Sequence, residues 1–100
     1  MSPAGRFTVA SGHPCLPGHF PDRPVVPGVV LLDEAIAAVL ATRPGRRVCG
    51  LPSAKFIIPV LPGQEVEIHC DGGDGARVAF ACRVGGVEVA RGVVTLEAGP

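Results

Sequence analysis

From Pro27 to Thr42 the chain reads PGVVLLDEAIAAVLAT, apolar on almost every side of a helix, the pattern of a segment buried on most of its surface. Proline suits a first helical position and Pro44-Gly45 stops the run, so a helix is expected over Pro27–Thr42. At about 100° per residue, Val29, Leu32, Ile36, Val39 and Leu40 share one face, the expected core stripe. Asp33 falls at the edge of that stripe, where the helix buries it or presents it to a pocket. Glu34 lies further round and reaches water more easily. No Ser, Thr, Asp or Asn precedes the run, because Val26 holds that place. The N–H groups from Gly28 onward therefore lack a side-chain cap. Such an end either takes a backbone or water cap or binds a partial negative charge.

After this helix the pattern changes period. Val48–Val60 reads as a long strand with Pro52 near its start and Pro59 near its end. Leu61-Pro62-Gly63-Gln64 is a turn, and Glu65–Cys70 alternates as a half-buried strand does. The segment 71–75 (DGGDG) is a hairpin connection, Ala76–Val84 the next strand, Gly85-Gly86 a tight turn and Val87–Leu96 the last strand. Ahead of the helix, Arg6–Ala10 is a short strand candidate. The expected fold class is therefore α+β, one antiparallel sheet curled round one long helix. A sheet of this kind leaves edges open, and pairing with a second subunit closes one.

Between the first strand and the helix lies GHFPDRPVVPG, from Gly18 to Gly28. Each proline, at 21, 24 and 27, holds its predecessor extended, so the segment is a stiffened arm carrying His19. Imidazole titrates nearest neutrality and can take a proton at working pH. A buried Asp33 can stay protonated and give one. The N–H of Gly28, with the helix dipole behind it, can hold a carbonyl oxygen as it gains charge. Base, acid and oxyanion donor together suit proton abstraction beside a carbonyl with loss of a β-hydroxyl, although each has a bland structural explanation taken singly. His13, in the approach loop, and His69, on an alternating strand, are expected to be non-catalytic.

Composition narrows the rest. One hundred residues suit one domain, 1–100, and 47% hydrophobic content is rich for that size, pointing to apolar area shared with a second copy. Nine basic and nine acidic residues are interspersed, which offers no global field for nucleic acid or an anionic membrane. Arg43, Arg46 and Arg47 read as a solvated loop. The start, MSPAGRFTVASG, lacks the apolar core of a secretory signal, and no apolar run is long enough to span a bilayer, so a cytoplasmic protein is expected. Cys15, Cys49, Cys70 and Cys82 show no CxxC spacing and read as small reduced core residues. His13, Cys15 and His19 are ligand types, but no fourth ligand is nearby and the proline loop resists closing round an ion, so no metal is expected.

Gly18-His19-Phe20-Pro21, then Pro24-Val25-Val26-Pro27-Gly28-Val29, with Asp33 fourteen positions after His19, resembles the signature of the hot-dog-fold β-hydroxyacyl-acyl carrier protein dehydratases. A second block, Lys55-Phe56-Ile57-Ile58-Pro59-Val60-Leu61-Pro62-Gly63-Gln64, is similar to that family's strand and turn after the central helix. The PVVPGVVLLDEA stretch resembles the short dehydratases of aryl polyene clusters. The resemblance implies a hot-dog fold whose subunits pair into a continuous sheet, with the site at the interface. It implies His19 as base and Asp33 of the other chain as acid. Gly28 N–H would polarise the thioester carbonyl, and the Val25 carbonyl would orient the histidine. Phe20, Leu32, Ile36 and Phe56 would line the acyl pocket. The substrate would be an acyl carrier protein or coenzyme A thioester, the assembly a homodimer, and no protein-bound cofactor is implied. Ala37-Ala38 stands where many members carry a glutamine. A hot-dog thioesterase and a non-catalytic acyl-binding module are the competing expectations.

Overall fold

The computed structural model describes residues 3–9, 25–71 and 75–99. The element order is β1 (Gly5–Thr8), α1 (Gly28–Ala41), β2 (Arg46–Phe56), β3 (Glu65–Cys70), β4 (Arg77–Val84) and β5 (Val87–Ala98). All strands pair antiparallel in one sheet of order β1-β3-β4-β5-β2, and α1 packs across β1, β2, β3 and β4. This is the α+β arrangement the hydrophobic pattern predicts.

Turn chemistry sets the registers. Val84 pairs with Val87 across two residues only, and both, Gly85 and Gly86, adopt positive φ (58° and 83°), as a hairpin matched to strand twist requires. Leu61–Gln64 closes through Gln64 N–H to Leu61 O (3.2 Å), and the Gln64 side-chain Oε1 accepts from Leu61 N–H (2.9 Å). β2 is an edge strand with register shifts at Val48/Gly50 and Gly50/Ser53. That is where Pro52 can sit, because an edge residue can lose its N–H donor without breaking the ladder.

The core lies between helix and sheet. Val66 and Ile68 on β3, Val78, Phe80 and Cys82 on β4, and Ala90 and Val94 on β5 point toward α1 and are almost fully buried. Each large side chain so buried stabilises the fold by about 1.5–3 kcal/mol. The helix meets them with Leu31, Ala35, Ala38 and Val39. This corrects the expected stripe: Val39 is shared, Leu32, Ile36 and Leu40 are only partly buried, and Val29 is 64% exposed. Periodicity cannot locate the buried face of a helix that is apolar all round. Size does so instead, because two alanines let the helix approach closely; a Cβ on Gly5 would sit 3.2 Å from that of Ala38.

Two other expectations change. Arg43 is not solvated but 8% exposed. Its guanidinium donates to Thr42 Oγ1 (2.7 Å) and to the Asp71 carbonyl (2.6 Å), tying the helix end to the end of β3. Arg46 and Arg47 are exposed, the latter paired with Glu97 (2.6 Å). Cys70 and Cys82 are buried as expected, whereas Cys49 is exposed on edge strand β2. Cys15 lies outside the described residues. No helix among those residues is long and apolar enough to cross a membrane.

Candidate active site

The start of α1 is bare. Pro27 occupies the cap position with φ −59° and ψ 143° and no side-chain cap. Its carbonyl accepts from Val30 N–H (3.0 Å) and Leu31 N–H (3.4 Å). The N–H groups of Gly28 and Val29 are left without an acceptor among the described residues. A fourteen-residue helix places the positive end of its dipole behind them.

Beside this end runs a groove of about 430 Å³, lined by Val25, Val26, Gly28 and Leu31 on one side and Phe56 through Val60 on the other. Two features hold its walls. Val26 N–H donates to Val60 O (2.7 Å), pinning the residue just ahead of Pro27 to the chain after β2. The N–H groups of Ile57 and Ile58 both donate to Val89 O (2.8 and 3.2 Å), the residue β5 leaves unpaired where its register with β4 shifts between Cys82 and Arg83. The Phe56 ring lies across Gly28: a Cβ there would come within 2.8 Å of the ring. Glycine at 28 thus serves close approach at a helix start, not an unusual backbone angle.

The sequence-predicted residues divide. Gly28, Val25 and Phe56 meet in the groove. Leu32 and Ile36 do not line it; they lie on the partly buried flank of α1, and Leu31, Ile57, Ile58, Pro59 and Val60 line it instead. The unbroken apolar run Phe56–Val60 was the available signal for these. Asp33 is exposed, as is Glu34, so no burial separates the two acids within one chain. Asp33 sits five residues beyond Gly28, about 140° round the axis, and does not line the groove. Its helical neighbours are the exposed Val29 and Ala37 and the half-buried Ile36 and Leu40, so it stands in an apolar stripe open to solvent. His19, Phe20 and His13 lie outside the described residues.

Other reactive groups have structural explanations. Burial, and secondarily the charge of Glu88, pushes the Cys82 thiol up to about 11, so it stays protonated and is no nucleophile. No group of three or more His, Cys, Asp or Glu among the described residues is placed to hold a metal ion.

Comparison with known proteins agrees with this geometry. Over 75 residues the chain is 41% identical to the 3-hydroxyacyl-[acyl-carrier-protein] dehydratase FabZ of a Bradyrhizobium strain, covering 65% of this chain and 49% of that one. The chain spans about half the length of the curated relatives it matches. Among solved structures, the dehydratase heterocomplex ApeI:P of Xenorhabdus doucetiae superposes with a TM-score of 0.76 at 21% identity, over 91% of this chain and 82% of that one. An uncharacterised Erwinia carotovora protein superposes at 0.78 and 22% identity, over 93% and 80%. These likenesses establish the hot-dog fold. The profile of the ApeI-like family, described as ApeI dehydratase, matches residues 2–93, and the chain belongs to that family.

Proposed function

We propose that the chain is a hydro-lyase, a 3-hydroxyacyl-[acyl-carrier-protein] dehydratase that converts β-hydroxyacyl thioesters to trans-2-enoyl thioesters in fatty acid or polyene-type chain synthesis. It acts as a homodimer joined along β2, on a substrate carried by acyl carrier protein or coenzyme A. One observation carries this reading. Among its described lining residues the groove that holds the bare Gly28 amide has no acid, while Asp33 stands in an open apolar stripe on the other side of the same helix. Two copies related by symmetry would each supply what the other lacks. The exposed apolar residues that a partner would cover are continuous in sequence: Phe56, Ile57 and Ile58, with Leu61 just beyond.

In this site His19 takes the α-proton and Gly28 N–H holds the thioester oxygen as charge develops on it. The C–O bond at the β-carbon then breaks, and Asp33 of the second copy protonates the departing hydroxyl, which leaves as water. The histidine proton returns to Asp33 before the next turnover, so the protein ends as it began. Val25 O orients the imidazole, and Phe56 with its neighbours takes the acyl chain.

The test is incubation with a β-hydroxyacyl thioester, following enoyl absorbance and free thiol together. New enoyl absorbance is the expected result. Thiol release would identify a thioesterase, and neither signal an acyl-binding module. His19→Ala and Asp33→Asn should each abolish turnover with the fold retained, while Glu34→Gln stays near the parent. Mixing the two dead variants under subunit exchange should restore part of the activity. No restoration in proven mixed dimers would place the whole site within one chain.

A further inference from the structure

The sheet face turned away from α1 carries a second cavity, of about 340 Å³. Cross-strand partners point to the same side of a sheet. The register His69↔Ala81↔Arg91 and the pair Ala79↔Val93 therefore share this outer face. Two alanines at the centre of the sheet, with Val93 beside them, leave a shallow apolar floor. His69 and Arg83 are among the larger side chains that wall it.

The wall is unusual for an outer face. His69 is only 7% exposed, and neither ring nitrogen has a hydrogen-bond partner among the described residues. Its nearest charged neighbour, Glu67 Oε1, is 3.6 Å from Nε2, and the other oxygen of that carboxylate accepts from Arg6 Nε at 3.1 Å. Leaving a buried polar ring unsatisfied destabilises the fold. Arg83 lies opposite Glu67 in the register, yet among the described residues it has no carboxylate within ion-pair distance. The other charges are already engaged. Arg91 is held by Glu88 (3.5 Å), and Asp71 Oδ2 accepts from Ala79 N–H (3.3 Å).

We infer that this cavity is a binding site for a small carboxylate with a short apolar tail. The guanidinium of Arg83 offers a planar fork that fits a carboxylate with two parallel hydrogen bonds. The His69 ring nitrogens are closed to solvent as the side chain stands, and a turn of the ring toward the cavity adds a third donor and gives it the partner it lacks. The tail lies along Ala79, Ala81 and Val93. The site is on the opposite face of the sheet from the Gly28 groove and stands independently of the proposed reaction.

The experiment titrates the full chain, isotope-labelled at histidine, with hexanoate, using hexanol as the uncharged comparison and inorganic phosphate as the tail-less one. Hexanoate should move the His69 ring resonances saturably, with the signals assigned from His69→Gln. Hexanol should leave them in place, and phosphate should bind more weakly. Arg83→Gln should weaken hexanoate about ten-fold, because a neutral amide replaces the charged fork, with turnover unchanged. Ala81→Leu, which fills the floor without touching the core, should abolish the shift and serves if Arg83→Gln folds poorly. The inference is overturned if the His69 signals ignore hexanoate, if hexanol or phosphate acts equally, or if both variants titrate like the parent.

Discussion

The sheet has two edges built on different terms. At one, β1 is four residues long, and Arg6 reaches across to Glu67 (3.1 Å) and Glu65 (3.8 Å). A short, charged strand is how proteins discourage further pairing. At the other, β2 runs eleven residues and passes directly into exposed Phe56, Ile57 and Ile58. Its far end forms one wall of the groove at Gly28. A closed edge can lie anywhere, but an open apolar one beside a candidate oxyanion site is what the proposed dimer needs to tie assembly to catalysis.

The contrast can be broken most severely at β2. Ile58→Glu should leave a folded monomer by sedimentation and remove essentially all dehydration, because in the proposed homodimer each site borrows its acid from the other copy. A dimer that persists in this variant would move the interface elsewhere. Gly28→Ala comes next. Its methyl would drive the Phe56 ring off the helix start, and misplacement of this size costs on the order of 100-fold in turnover. Dimer mass should be unchanged. Ala38→Leu probes packing alone: overfilling the tight contact with Gly5 should destabilise by about 1–3 kcal/mol in denaturant melts, whereas Val29→Leu on the exposed flank should be nearly neutral. The smallest effect belongs to β1. Arg6→Ala should leave mass and turnover alone and lower stability only slightly.

That last effect carries a pH sign. Arg6 holds the Glu67 carboxyl below its ordinary value. The contribution is therefore complete above the unfolded-state pKa and is lost as pH falls through the lower folded value. The parent and Arg6→Ala should differ near neutrality and converge in acid, as thermal melts across pH would show.

Much of this was legible in the chain. β3 falls over Glu65–Cys70 as its alternation predicts, and the Gly85-Gly86 hairpin pairs as a two-residue turn must. The helix ends at Ala41, one residue short of the predicted Thr42. β2 stops at Phe56 rather than Val60, because Ile57 and Ile58 both turn their N–H groups to one carbonyl, Val89 O. Local rules cannot foresee a bond set by a register shift in a strand thirty residues away. Gly28 and Phe56 were named from sequence and do meet, whereas Leu32 and Ile36 lie on the partly buried flank of α1 and do not line that groove.

What the sequence determined by itself was whatever depends on neighbours along the chain: helix, turns, strand alternation, and a bare amide after Pro27. Tertiary structure alone decided which side of an all-apolar helix is buried, because alanine size and the approach of β1 set that distance. It also decided that His69 is buried on the outer face, since alternation only turns a side chain away from the core. Whether water still reaches it depends on the side chains that adjacent strands place around it.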